Sequence, residues 1–205
     1  MLQQTQVPRV IEKYHLFVKK FPTIRTLSRS NLNSVLRVWS GLGYNRRAKY
    51  VRDAARVVVG KYGGEVPRDL IALRALPGVG LYTARAVRVF AFNEPDILIE
   101  TNIRATIIHH FYSSILQKTA ILDKEILPIA RAAAMRQDSQ VWHWALMDYG
   151  AHIKKLHGNP ARRSAHYARQ PKFEGSLRQV RGAILRALHS GPKSETRIKE
   201  TKGVS

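Results

Sequence analysis

Cysteine is missing from all 205 residues, which excludes disulfide bonds, thiolate zinc sites and any cysteine-ligated iron–sulfur cluster. Acidic residues are scarce: 14 Asp and Glu stand against 35 Lys and Arg, for a formal net charge of +21 and an isoelectric point near 10.9. That imbalance exceeds what solubility requires and points to a polyanionic partner, nucleic acid ahead of an anionic membrane surface. No apolar run approaches the roughly 18 residues of a membrane span. The opening MLQQTQVPRV also lacks the basic-then-apolar layout of a signal peptide. The expectation is a soluble intracellular protein with no membrane partner.

Strand-like alternation is scarce too. Apolar residues instead recur at spacings of three and four in VIEKYHLFVKKF, LNSVLRVW, AKYVRDAARVVVGKY, YTARAVRVFAF, NIRATIIHHF and KEILPIARAAAM, which predicts an all-α fold. Pro8 suits an early position of a helix that runs to about Lys20, and FPT, GLG, YGGEVP and LPGVG punctuate the connections. Residues 151–205 carry 13 Lys or Arg against 3 acidic residues. The final SGPKSETRIKETKGVS is polar and aperiodic, which predicts a disordered tail over 190–205.

One nearly uncharged turn stands apart in this basic chain: LPGVG, Leu76 to Gly80, running directly into the helical pattern LYTARAV. Pro77 stops the preceding helix at Leu76. Gly78 and Gly80 permit backbone conformations closed to other residues and a close approach to a partner. Amides at such a turn and at the following helix N-terminus form an anion nest suited to a phosphate. Leu76, Val79 and Leu81 are expected to anchor the turn in the core. A plain connector is the alternative, and the excess positive charge favours the phosphate.

The turn resembles the hairpin of the helix-hairpin-helix DNA glycosylases. In that superfamily a carboxylate essential for cutting the base-to-sugar bond follows at fixed distance; here Glu100 lies twenty positions after Gly80, within ILIETNIRAT. MLQQTQV (1–7), WSGLGYNRRAKYV (39–51) and ALMDYGA (145–151) are similar to segments of the A/G-specific adenine glycosylases of the MutY type. The resemblance covers residues 1–151 and implies two interleaved helical modules, 1–93 with the hairpin at 76–81 and 94–189 with the carboxylate and a basic C-terminal region, with the active-site cleft between them. It implies a monomeric, monofunctional enzyme of base excision repair. That enzyme acts in the cytoplasm at the nucleoid, on double-stranded DNA with a mismatched or oxidised base pair, and removes adenine opposite guanine or 8-oxoguanine. A glycosylase for uracil or thymine opposite guanine, and a non-catalytic DNA-binding remnant, are the alternatives.

The chemistry accounts for the residue types. Breaking an N-glycosidic bond leaves an oxocarbenium-like sugar whose positive charge a nearby carboxylate stabilises. Glu100 fills that role by resemblance, although the family residue is normally aspartate, one methylene shorter; its other reading is a charge at a helix N-terminus. Tyr82 stands where glycosylases that also cleave the backbone carry a Schiff-base lysine, and is otherwise a first-turn core aromatic. Asn102 orients the site or caps a helix. DNA contacts fall by resemblance on Gln3, Gln4, Thr5, Leu42, Tyr44, Arg46, Gly78, Gly80 and Thr83. Among these Gln4 and Tyr44 are wedges for base flipping, and Thr5 and Leu42 line the opposite base. In bland terms, QQTQ is a polar helix end and Tyr44 covers the apolar face of the next helix. Arg46, Arg47 and Lys49 are expected to screen phosphates. By resemblance Asp148 faces the target adenine's amino group; its other reading is a core hydrogen bonder.

Three family features are missing from the sequence. One is a glutamate just upstream of MLQQTQV that protonates the leaving adenine, so the reading here is a truncated chain or a misplaced start, with an incomplete first helix. Another is the cysteine-ligated iron–sulfur loop, replaced by IKKLHGNPARRSAHYARQPKF, so no cofactor is expected. The third is a Nudix-like domain. His157 and His166, nine residues apart, read as solvent- or phosphate-facing rather than as a metal site.

Overall fold

A computed structural model describes every residue except 4, 116–119, 170, 171, 173, 189, 190 and 201–205. Among the described residues there is no strand, only an isolated bridge between Ile121 and Ser164. The all-α expectation holds. No helix among the described residues is long and apolar enough to cross a membrane.

Two compact units divide the chain. The first comprises Met1–Pro67, Leu76–Gly78 and the described residues of the C-terminal segment beyond 170. Its helices are α1 (Val7–Lys20), α2 (Ile24–Arg29), α3 (Leu32–Trp39), α4 (Arg46–Tyr62), α10 (Leu177–Leu188) and α11 (Glu195–Lys199). Local chemistry sets the ends. Thr23 Oγ1 accepts from the Thr26 amide at 3.1 Å and Asn31 Oδ1 from the Ser34 amide at 2.8 Å, each capping the helix that follows. Gly63, at φ +65°, ends α4 in the left-handed conformation. Val10, Leu27, Val35, Trp39, Leu42, Ala48 and Ala55 form the core. Helix α11 falls within the expected tail, because Ser194 caps it through the Arg197 amide; residues 201–205 of that tail lie outside the described residues.

The second unit comprises Arg68–Ala75 and Val79–Arg169. It holds α5 (Leu70–Arg74), α6 (Leu81–Phe92), α7 (Thr101–Tyr112), α8 (Asp123–Ala134), α9 (Ser139–His157) and a 3-10 turn, Pro160–Arg163. The 93/94 division does not coincide with these units: Val89 of α6 is in one core with Leu98, Ile103, Ile107, Ile108, Ile121 and Ile126. Between α6 and α7 the chain forms no regular element, and side chains pin it. Asp96 pairs with Arg88 at 3.0 Å and Arg85 at 3.3 Å, and the buried Leu98 amide donates to His143 Nε2 at 3.2 Å. His143 Nδ1 lies 2.6 Å from the Ser139 carbonyl, an acceptor only, so Nδ1 carries the proton and Nε2 the lone pair. That pinned run delivers Glu100 to the start of α7.

Gly150 sets how closely α9 lies on that start. A Cβ there would sit 2.1 Å from the Asn102 carbonyl oxygen, a backbone atom that cannot swing aside. Gly150→Ala should destabilise the protein by about 1–3 kcal/mol or more, the usual range for overpacking. Chemical denaturation reads it directly, and an unchanged midpoint would show that α7 and α9 separate freely.

Candidate active site

Glu100 is the N-cap of α7. Its Oε1 accepts from the Asn102 amide at 2.6 Å and the Ile103 amide at 2.9 Å. The capping alternative raised for Asn102 therefore belongs to Glu100, and a cap is what aims this carboxylate. Burial pushes its carboxyl above the usual range; the two amides, then Lys154 and Arg104, pull the other way. Tyr82, in the first turn of α6, is 42% exposed rather than a core aromatic. Its hydroxyl is pushed up by partial burial and by the charge of Glu100, so it stays a neutral donor.

Asn102 faces α9. Lys154 Nζ donates to Asn102 Oδ1 at 2.7 Å and to Thr101 Oγ1 at 3.0 Å. Arg104, one turn along α7, is held by Asp123 through Nε at 2.8 Å and Nη2 at 2.7 Å. Neither Lys154 nor Asp123 was singled out in the sequence. For Lys154 a signal was present: Gly150 and Lys154, at i and i+4, share a helix face, and a glycine inside a helix marks close approach to a neighbour. Asp148 is exposed, which rules out the core hydrogen bonder. It lies about 200° round α9 from Gly150 by helix geometry, so α9 does not turn it toward Asn102 with Lys154.

Between Leu76 and Gly80 the two glycines differ. Gly78 sits at φ +74°, and a Cβ there would meet the Tyr50 ring at 2.6 Å; this position requires glycine. Gly80 has φ −83° and ψ 177°, open to any residue, with nothing near a built Cβ. What Gly80 supplies is an N-cap with no side chain of its own to occupy the first-turn amides of α6. Leu76 is buried as expected, but Leu81 is 42% exposed, because the first residue of α6 turns its side chain away from the core. The short helix ends at Arg74, two residues before Leu76.

In the first unit, Arg47 is not a phosphate screen. Its guanidinium donates to the carbonyls of Met1 (2.8 Å), Gln3 (2.5 Å), Leu42 (3.3 Å) and Gly43 (3.3 Å) and to Thr5 Oγ1 (2.9 Å), and stacks over Tyr44 and Trp39. It ties the first residues of the chain to the loop 41–45. Arg46, its neighbour, is exposed, because successive helix positions point about 100° apart. Leu42 is 4% exposed within the core, and its carbonyl accepts from Thr5 Oγ1 at 3.3 Å. Tyr44 is 39% exposed at φ +48°, with Arg178 of α10 donating to its hydroxyl at 3.4 Å. Gln3 is exposed, and Thr5 and Thr83 are partly so. Gln4 lies outside the described residues.

The segment after α9 offers no thiolate to hold the cluster that the resemblance implies for many relatives, so its donor set does not fit that group. Peptide bonding ties it down: the Ile121 amide donates to the Arg163 carbonyl and the Ala165 amide to the Ile121 carbonyl, both at 2.9 Å, while Arg163 donates to the carbonyls of Tyr112 and Ile115. His157 and His166 are exposed; His157 stacks on His109, and His166 lies 3.8 Å from Asp123.

A capped, partly buried carboxylate one helix downstream of a glycine hairpin and its helix N-terminus defines a class, and comparison with known families agrees. The chain belongs to the HhH-GPD superfamily of base excision DNA repair proteins, which it matches over residues 1–154. Its relatives by sequence are adenine DNA glycosylases. That of Buchnera aphidicola subsp. Baizongia pistaciae is 37% identical over 160 residues, covering 78% of this chain and 45% of the relative. That of Mycolicibacterium smegmatis is 32% identical over 216 residues, covering 96% and 72%. The chain thus spans about half to three quarters of the length of these two relatives. Among solved structures, a thermostable thymine-DNA glycosylase superposes with TM-score 0.68 at 26% identity, over 78% of this chain and 73% of that one. A trapped endonuclease III–DNA covalent intermediate superposes with TM-score 0.58 at 20% identity, over 86% and 76%, a likeness of fold.

Proposed function

We propose that the protein is a monofunctional, monomeric DNA glycosylase that removes adenine mispaired with guanine or 8-oxoguanine in double-stranded DNA, without a cysteine-ligated cluster. The observation that carries this reading is Glu100, partly buried and held by two amides at the α7 N-terminus with the neutral hydroxyl of Tyr82 in its field. As the N-glycosidic bond breaks, its electron pair leaves with the adenine nitrogen, and the sugar takes on positive charge that the carboxylate offsets. Water adds at the sugar carbon, and in the balance its proton goes to the departing adenine, leaving an abasic site and neutral adenine. Tyr82 has no amine to attack the opened sugar, so the backbone is not cut by this residue. The relatives' common name favours adenine; the thymine-DNA glycosylase among the structural neighbours supports thymine opposite guanine as the second reading.

The test is base release by the full gene product from duplexes that differ only in the target pair. Adenine opposite guanine and 8-oxoguanine should be released, with alkali-labile sites, at least about a hundredfold faster than thymine or uracil opposite guanine. The reverse order would install the second reading, and binding with no release of any base would leave only a DNA-binding protein.

A further inference from the structure

The partly buried carboxylate of Glu100 makes no ion pair among the described residues; its hydrogen bonds come from two backbone amides. An isolated charge in such a site tends to take a proton rather than remain an anion. Three ionisable groups act on it: Tyr82 from α6, Arg104 from α7 and Lys154 from α9. Tyr82 is neutral, and Arg104 is bound through two nitrogens to Asp123, whose opposite charge faces it. Lys154 is different. It is half-buried, and among the described residues its ammonium donates only to neutral oxygens, Asn102 Oδ1 at 2.7 Å and Thr101 Oγ1 at 3.0 Å. Those two residues are the first two of the helix that Glu100 caps. Gly150, one turn earlier on the same face, lets α9 lie against the Asn102 carbonyl and so brings the ammonium there.

We propose that Lys154 is a positioning residue for the glycosylase reaction: its ammonium braces Thr101 and Asn102, and its unpaired charge keeps Glu100 a carboxylate in a desolvated site. The inference rests on reading Glu100 as the charge that stabilises the sugar cation. A cation nearby weakens the field of that carboxylate somewhat, but a proton on Glu100 would remove the field altogether. Charge and geometry separate in two variants. Lys154→Arg keeps the charge and a donor, whereas Lys154→Met keeps the length and apolar stem and loses both.

Single-turnover adenine release by the full gene product is measured from pH 5 to 9 for the parent and both variants, beside duplex affinity. Lys154→Met should move the acidic limb of the rate profile up by about one pH unit, as removal of a neighbouring opposite charge does. Near neutral pH it should slow release about tenfold, with affinity within about twofold of the parent. Lys154→Arg should return the limb to its place. A uniform loss at every pH, equal in both variants, would make Lys154 a packing residue and overturn the proposal, as would an unchanged profile. A borohydride-trapped adduct that vanishes in Lys154→Met would overturn it too, by making Lys154 an amine nucleophile. Carbon-13 NMR of the Glu100 carboxyl, assigned with Glu100→Gln, gives a readout independent of turnover. A parent that releases no adenine would sink the glycosylase reading, while the carboxyl titration still decides Lys154: it supports the proposal if it moves up in Lys154→Met and overturns it if it stays.

Discussion

Glu100→Gln should cut single-turnover base release about a thousandfold, the upper range for removing one electrostatic stabiliser, and leave duplex affinity within about twofold. Glutamine keeps the oxygen that accepts from the Asn102 and Ile103 amides at 2.6 and 2.9 Å, so α7 stays capped. What disappears is the charge that the oxocarbenium-like state requires. Stability should move the opposite way. Burial raises the carboxyl of Glu100 above its usual range, so its contribution to folding is full when protonated and is lost as pH rises through the folded value. At neutral pH the ionised form is a cost that glutamine does not carry. Thermal melts should therefore show Glu100→Gln above its parent at pH 7, with the gap closing as pH falls. Glu100→Asp restores the shorter arm normal to the family and suits an N-cap, so it should retain or raise release. Equal rates for Glu100→Gln and parent would return Glu100 to the role of a helix cap alone.

Most of the helical framework was legible because it rests on local rules. LNSVLRVW coincides with α3, and the periodic runs at 48–62, 82–92, 102–111 and 124–135 fall on α4, α6, α7 and α8 almost residue for residue. The 19-residue α9 was visible only through its motif ALMDYGA, because its aromatic, histidine and lysine residues blur the apolar stripe. Residues whose role depends on another segment were read less well. Arg46 and Arg47 are identical by sequence, and only the fold turns one to solvent and bonds the other to the chain's first residues. Leu42 reads by resemblance as lining the opposite base, and only the fold shows it in one core with Trp39, Val35 and Ala48. The 20-residue spacing from Gly80 to Glu100 was readable; that both are N-caps, one bare and one charged, was not. That pairing gives the two helix starts opposite electrostatic signs, the first open to an anion and the second already supplied with one.

Gly80→Asp tests the first of those starts, and the structure sharpens the expected outcome. Gly80 lies at φ −83° with nothing within 4 Å of a built Cβ, so a side chain enters without strain. Aspartate is also among the best N-caps, preferred to glycine by a few tenths of a kcal/mol. The variant should therefore melt at or slightly above the parent temperature. Duplex affinity should nevertheless fall about a hundredfold, equivalent to roughly 2.8 kcal/mol. The new carboxylate would occupy the first-turn amides of α6 and repel the phosphate proposed to sit there. Gly80→Ala separates the two effects, since a methyl group fits the same space and neither caps nor charges the helix. It should bind within a few-fold of the parent. Gly78→Ala completes the set: a residue at φ +74° with its Cβ 2.6 Å from the Tyr50 ring is strained in the fold itself, so its melting temperature should drop. Full affinity in a stably folded Gly80→Asp protein would mean that the hairpin only joins two helices and that the phosphates are held elsewhere.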